Sequence, residues 1–382
     1  MDFGLSEEQR AFQETARRFA RERLLPTYQA REKKGEFDWG LLKEMGDLGL
    51  LAIDLPEEYG GLGLDTLTVG LVTEEIGYGD FGLGNYTLMG SLNGHIVLDH
   101  AHPDIVNDCL PKLAAGEFVL AVGLTEPRGG SDAANLALRA RRDGDEYVLD
   151  GEKSGITSAT FGNAIVLFAR TEDGGARGVS AFYVPMDLPG MTANAFEPLG
   201  EHTVGWGNLQ FDGVRIPAKN LMGAEGGGFT QVMQGFDCSR ILLGLMCIGA
   251  AQASLDETWQ YVQEREAFGQ PIARFQGVSF PLAEAETHLT AARDLCYRAL
   301  WLRDSGLPHT AEAAMCKWWP PKIAAQIIHQ CLLTHGHYGY TTDLPHQQRW
   351  RDVIGIQIGD GTEQIMKMIV TRERIGRMAL QY

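Results

Sequence analysis

Residues 118–124 (FVLAVGL), 147–149 (YVL), 164–169 (AIVLFA), 179–184 (VSAFYV), 192–196 (TANAF) and 209–211 (LQF) are short runs rich in β-branched and aromatic residues. DG, GG and PG turns separate them, so the spacing predicts a compact β domain of about a hundred residues. The texture on either side is different. From Ser6 to about Leu113 the pattern is helical: Phe12, Ala16, Phe19 and Ala20 share one face, and Ser6 followed by Glu8 and Gln9 is a helix start signal. Pro26, residues 56–63 (PEEYGGLG) and the glycines of 77–84 break this region into separate helices. After Pro217 helix returns. Residues 228–266 contain no proline and carry an apolar face through Ile241, Leu242, Leu245, Ile248, Leu255, Trp259 and Val262, with further helices expected at 275–305, 310–334 and 361–379. The order predicts an α+β chain with an N-terminal helical domain (1–117), a barrel-like β domain (118–222) and a C-terminal helical bundle (223–382).

Composition narrows the function. The 382 residues are 44% hydrophobic, enough for a sizeable core. Lys and Arg number 33 against 50 Asp and Glu, a net charge of −17, which argues against a nucleic-acid or anionic-membrane surface. Six scattered cysteines (Cys109, Cys238, Cys247, Cys296, Cys316, Cys331) form no CxxC pair, so neither a disulfide framework nor a cysteine zinc site is expected. The cysteine usage suits a reducing cytoplasm, and no run approaches eighteen apolar residues, so neither export nor a membrane span is expected. His335 and His337, like His100 and His102, have strand-type metal spacing without nearby ligands and are read as structural. Trp318, Trp319, Pro320 and Pro321 predict a kink or a fresh helix start, Met366, Met368 and Met378 are read as core, and the 77–94 glycines as a loop.

Several stretches in fixed order carry a resemblance: 123–132 (GLTEPRGGSD), 151–157 (GEKSGIT), 211–217 (FDGVRIP), 236–240 (FDCSR), 265–272 (REAFGQPI) with Phe275 and Gln276, Arg351 with Asp352, and 360–365 (DGTEQI). Together they resemble the acyl-CoA dehydrogenase family of FAD flavoproteins over essentially the whole chain. The resemblance implies proton transfer from Cα of an acyl thioester to a carboxylate and hydride transfer from Cβ to flavin N5, with backbone N–H and ribityl hydroxyl groups holding the thioester carbonyl. It implies electron-transfer flavoprotein as acceptor and a homotetramer.

By that resemblance, Leu124, Thr125, Ile156 and Thr157 border the flavin ring. Gly130 and Ser131 lie in a turn suited to anionic oxygens, and Ser131, Phe236, Asp237 and Arg240 hold the CoA moiety. Arg265, Phe268 and Gln276 reach the FAD of a neighbouring subunit, with Gly336, Thr362 and Gln364 completing the cofactor set. Read locally, the same residues have plainer meanings: strand ends, a glycine turn, a solvated arginine. Two departures stand out. Where the family has an aromatic residue before the Ile-Thr pair, this chain has Gly155, so the flavin edge is expected to be less covered or open to a bulkier substrate. The glutamine of the later Gln and Gly-Gly motif is missing.

The base position nine residues after Arg351 is Asp360 rather than glutamate. Locally, Asp360 followed by Glu363 reads as a helix cap, a role that makes a carboxylate a poorer base. The family's alternative base position on the long helix is Ser239, which cannot serve; Asp80, Asp99 and Asp343 are the other acids considered. An aspartate reaches about 1.5 Å less far than glutamate, which a ring carbon held nearer the base would offset. Residues 312–319, 328–336 and 358–365 are similar to the cyclohexane-1-carboxyl-CoA dehydrogenase branch. Short- or branched-chain acyl-CoA oxidation, enoyl-CoA reduction, flavin hydroxylation and a base-less acyl-CoA-binding scaffold remain the alternatives.

Overall fold

The computed structural model describes residues 4–379. Helix α1 (Glu7–Phe19) starts where expected: the Ser6 side chain accepts from the Gln9 N–H and the Gln9 side chain from the Ser6 N–H. That closes a capping box. A π turn and a 3-10 turn carry the chain across Pro26 to α2 (Tyr28–Lys34), followed by α3 (Trp39–Asp47), α4 (Thr66–Gly79), α5 (Phe81–His100) and α6 (Pro103–Ala114). Asp38, Asp65 and Asp80 each cap the helix that follows them.

Residues 77–94 are not a loop, contrary to the sequence reading. Asp80 caps a twenty-residue helix, and the glycines are there for close packing instead of turning. A Cβ on Gly84 would sit 2.6 Å from the Met246 sulfur, one on Gly77 would sit 2.6 Å from the Met246 carbonyl, and one on Gly94 would sit 2.8 Å from Leu55. Helices α4 and α5 are buried nearly all round, so no polar face marks them.

The middle of the chain forms one mixed sheet from β1 (Leu120–Gly123), β2 (Arg139–Asp143), β3 (Glu146–Ile156), β4 (Ala164–Arg170), β5 (Val179–Pro185), β6 (Met191–Ala195), β7 (Gly207–Pro217) and β8 (Leu221–Met222). The order is β6-β7-β3-β2-β4-β5-β8, with β1 running parallel beside β4. Strand β2 was missed in the sequence because Arg139, Arg141 and Arg142 mask its period, and only Ala140 is buried. Strands β4 and β5 are buried along almost their whole length, matching their unbroken apolar runs.

Helix α7 (Gly228–Glu264) is the axis of the C-terminal part, packed by α4, α5, α8 (Gln276–Asp304) and α9 (Thr310–Thr334). At about 1.5 Å per residue it is roughly 55 Å long. It is also the one described helix long and apolar enough to cross a membrane, but 94% of its most apolar window lies inside the protein. Pro320 and Pro321 do not start a new helix: α9 runs through both. Pro320 has no N–H for the Cys316 carbonyl, and Gly244 of α7 packs there; a Cβ on Gly244 would sit 2.6 Å from that oxygen. A small hairpin of β9 (Glu266–Ala267) and β10 (Gln270–Pro271) lies between α7 and α8, and α10 (His346–Ile356) and α11 (Glu363–Ile375) follow α9. Of the three methionines, Met366 is buried as expected but Met378 is 88% exposed, beyond the last α-helical turn.

All three parts meet at Asp352. One carboxylate oxygen accepts the Glu201 N–H at 2.6 Å and the other accepts the Tyr28 hydroxyl, while Glu201 accepts from Asn85 at 2.7 Å. Nearby, Arg31 pairs with Asp80 and Arg351 with Glu32, each at 2.6 Å. Burial, reinforced by neighbouring carboxylates, pushes Asp352 up to about 7 and Glu201 up to about 8. Both carboxyls therefore keep protons in the fold that an unfolded chain has lost, so their contribution is complete below about pH 4 and is lost as pH rises through about 7 to 8. Glu201→Gln is expected to raise the melting temperature at pH 8 and flatten its decline from pH 5 to 9; a differential scanning series across that range measures it.

Candidate active site

The two positions considered for a base, Asp360 and Ser239, are 121 residues apart in sequence and touch in space: Ser239 Oγ donates to Asp360 Oδ2 at 2.7 Å. Ser239 is buried on α7, and Asp360 stands in the loop between α10 and α11. Asp360 is not the helix cap that the local pattern suggested. Thr362 caps α11 by accepting from the Ile365 N–H, and Glu363 pairs with Lys322 and Lys367. The Asp360 carboxylate is free of capping work, and its backbone has φ +56°, a left-handed conformation that Asp tolerates better than most residues. Its N–H donates to no group in the described chain.

Lys317, absent from the sequence reading, holds this loop. It is fully buried on α9 and donates to the Ile356 carbonyl at 2.5 Å and the Gly361 carbonyl at 3.0 Å. Burial lowers its pKa to about 8, opposed by the charge of Asp360. The other acids have different work: Asp80 pairs with Arg31 and caps α5, while Asp99 and Asp343 are exposed. On α7, the Arg240 guanidinium lies 5.4 Å from the Phe236 ring and pairs with Asp237 at 3.2 Å. Thr310 donates to the second Asp237 oxygen at 2.6 Å. Arg240 is only 6% exposed, so it is no solvated charge, and its buried Nε lacks a partner within the described chain.

A second group gathers at the end of β1. The Ser154 N–H donates to the Thr125 carbonyl at 2.9 Å, bringing Leu124 and Thr125 beside Ser154, Ile156 and Thr157. Beneath them, fully buried Lys153 donates to the Leu124 carbonyl at 3.0 Å and to Glu126 at 2.9 Å, and Glu126 accepts the Ala137 and Leu138 N–H groups. Burial lowers Lys153 to about 8, while its attraction to Glu126 works the other way. A lone Lys or Glu in a strand-turn segment gives no sequence signal for such a pair.

Gly155 is exposed, and the space beside it is bordered by an aromatic side chain from another part of the chain. The Trp206 indole lies 3.6 Å from where a Cβ on Gly155 would sit. Gly130 and Ser131 lie in an exposed turn. Arg265 and Gln276 are exposed, and Phe268 is 95% exposed with φ +53°. Gly336 adopts φ +61° and Gln364 is exposed on α11. His335 stacks between Tyr261 and His346 and bonds the Cys331 carbonyl, while His102 caps α6.

The FAD that the resemblance implies has a matching donor set here. The hydroxyls of Thr125 and Thr157 make no hydrogen bond within the described chain, half-buried Leu124 offers an apolar wall, and an exposed glycine turn lies alongside. Hydroxyl and amide donors beside an apolar wall suit a flat ring edged with carbonyl and nitrogen acceptors.

Family models match the chain in three consecutive pieces: the N-terminal domain of acyl-CoA dehydrogenase at residues 6–117, the middle domain at 121–214 and the C-terminal domain at 226–375. A probable acyl-CoA dehydrogenase of Bacillus subtilis (strain 168) is 35% identical, covering 98% of this chain and 99% of the relative. The mitochondrial short-chain specific acyl-CoA dehydrogenase of Rattus norvegicus is 36% identical over 96% of this chain and 90% of the relative. The solved structure of butyryl-CoA dehydrogenase from Megasphaera elsdenii superposes with a TM-score of 0.94 at 32% identity, covering 98% of this chain and all of that one. On this evidence the chain belongs to the acyl-CoA dehydrogenase family, and it is an oxidoreductase that works with FAD.

Proposed function

We propose that this protein oxidises the Cα–Cβ bond of an acyl-CoA thioester with Asp360 as the base, and that its substrate is an alicyclic acyl-CoA such as cyclohexane-1-carboxyl-CoA, which becomes the 1-ene. The observation that carries the first half is the 2.7 Å contact between Ser239 and an Asp360 carboxylate that caps no helix. FAD supplies the acceptor for the hydride leaving Cβ. Asp360 takes the Cα proton at its carboxylate. Its own N–H, unused within the described chain, is available to hold the thioester carbonyl as negative charge develops there. Ser239 fixes one carboxylate oxygen, and the other accepts no hydrogen bond among the described residues and is left for the proton. Ser239→Ala is expected to lower kcat about tenfold with KM nearly unchanged, since one orienting hydrogen bond to a charged group is worth about 1.5 kcal/mol; steady-state kinetics with an artificial electron acceptor measure it.

The second half rests on the short base. A glutamate trimmed by one methylene withdraws its carboxylate by about 1.5 Å, and a misplacement of about 1 Å can cost a hundredfold in rate. A ring Cα, held on the base side by the ring itself, closes that gap. The second reading, a short linear acyl-CoA, is favoured by the short-chain and butyryl-CoA relatives. Anaerobic flavin bleaching separates the two: the alicyclic reading expects faster reduction by cyclohexane-1-carboxyl-CoA than by butyryl- or octanoyl-CoA, and the reverse order would sink it.

CoA recognition is assigned to Ser131, Phe236, Asp237 and Arg240, with the Arg240 Nε, which has no partner among the described residues, as a donor to the ligand. In an acidic chain, binding of polyanionic CoA and FAD then depends on a few placed groups. The exposed Arg265, Phe268 and Gln276 support a homotetramer in which this segment meets a neighbour's FAD. Electron-transfer flavoprotein is the proposed acceptor. Six unpaired, buried cysteines support a reducing, cytoplasmic setting.

A further inference from the structure

We infer that Trp206 is the aromatic wall of the flavin site, presented from β7's leading edge to take the place of a side chain at position 155. The geometry is local and specific. A Cβ built on Gly155 would sit 3.6 Å from Trp206 Cζ2 and 3.7 Å from its Nε1, so the indole stands in van der Waals contact with the position a side chain at 155 would start from. Gly155 has φ +69° within the register shift between Lys153 and Ile156, a conformation that suits glycine and penalises any larger residue. The strand that presents Trp206 is the one that pairs there: Ile156 lies opposite Gly207.

The indole is held in place. Its backbone carbonyl accepts the Phe196 N–H at 2.9 Å, and its ring packs on Phe196 with centroids 4.8 Å apart at 66°. Yet 39% of the residue is exposed, and its Nε1–H has no acceptor in the described chain. Apart from its edge contact with Phe196, this half-exposed ring beside the strand end that carries Ile156 and Thr157 has no aromatic partner among the described residues, and a flat aromatic ligand stacks on such a face. The inference rests on the flavin lying along Leu124, Thr125, Ile156 and Thr157. It goes further by naming the side chain that covers the ring.

The test is titration of FAD into apoprotein, for the wild type and for Trp206→Ala, Trp206→Phe and Thr125→Val. Trp206 is half exposed, so its variants are expected to fold, and circular dichroism checks this. The inference expects Kd for FAD to rise about tenfold in Trp206→Ala and to return to within about twofold of the wild type in Trp206→Phe. Bound-flavin fluorescence should rise several-fold in Trp206→Phe, because phenylalanine does not quench an excited flavin by electron donation as tryptophan does. Unchanged Kd in Trp206→Ala, with Thr125→Val weakened, would overturn the inference alone. Unchanged Kd in both would overturn the flavin placement beneath it, and with it the inference. A loss in Trp206→Ala that Trp206→Phe does not repair would overturn aromatic stacking as the cause.

Discussion

Replacing Asp360 by Asn is expected to slow flavin reduction by an acyl-CoA by about 10³- to 10⁴-fold, while FAD stays bound and the protein remains folded. Asparagine matches aspartate in size and can still accept the Ser239 hydrogen bond, so the loop that carries it should keep its shape. What it cannot do is take up a proton. The effect should appear in the anaerobic half-reaction, since the lost step precedes any transfer to an external acceptor. Stopped-flow absorbance of the flavin band measures it, and retained bleaching would move the base to another residue. Asp360→Glu is the informative companion: it advances the carboxylate by about 1.5 Å and should shift preference from the ring substrate toward a straight chain.

Lys317→Met is expected to lower kcat about a hundredfold, leave KM little changed, and reduce thermal stability by several degrees. Lys317 grips the loop that carries Asp360 at both ends, at the Ile356 and Gly361 carbonyls, from a fully buried position on α9. Methionine keeps most of the side-chain volume but leaves both carbonyls without this donor, at about 1–3 kcal/mol each where water cannot replace it. A loop released at both ends lets the Asp360 carboxylate wander, and a base displaced by about 1 Å loses most of its effectiveness. Arginine is not expected to rescue the variant, because its planar fork does not fit a pocket shaped for a compact ammonium. The split between kcat and KM, read together with a scanning calorimetry trace, distinguishes loosened positioning from simple unfolding, which would lower the amount of active enzyme without a residual slow rate.

Sequence legibility followed the range of the interactions. Local patterns placed the α1 capping box, the alternation of helix, sheet and helix, and the β4 and β5 runs, because each depends on neighbours within a few residues. The family resemblance singled out Asp360 by its place nine residues after Arg351, but its freedom from capping was not legible: Asp360 and Thr362 are both good caps, and only the backbone turn at φ +56° decides between them. Glycine misled in 77–94 because turning and close helix contact require the same residue; Met246 against Gly77 and Gly84 is 162 positions or more away. Of the two outcomes expected at the prolines of α9, a fresh helix start is excluded because the helix runs through them, with Gly244 of another helix packed against the freed Cys316 carbonyl. Lys317, the Lys153 and Glu126 pair, and Trp206 were missed because each acts across a distance in sequence that no periodicity encodes. Trp206 has the sharpest lesson: Gly155 looked like an absence, and the structure puts an indole beside it from the residue just before β7.

The central claim is that this flavoprotein oxidises an acyl-CoA by proton abstraction at Cα. Its most direct test is anaerobic addition of cyclohexane-1-carboxyl-CoA to purified wild-type holoprotein, once with ordinary hydrogen at Cα and once with deuterium. The account expects the visible flavin band to bleach and the label to slow the bleaching several-fold. A flavin spectrum left unchanged by this ester and by a panel of linear and branched acyl-CoA esters would contradict it.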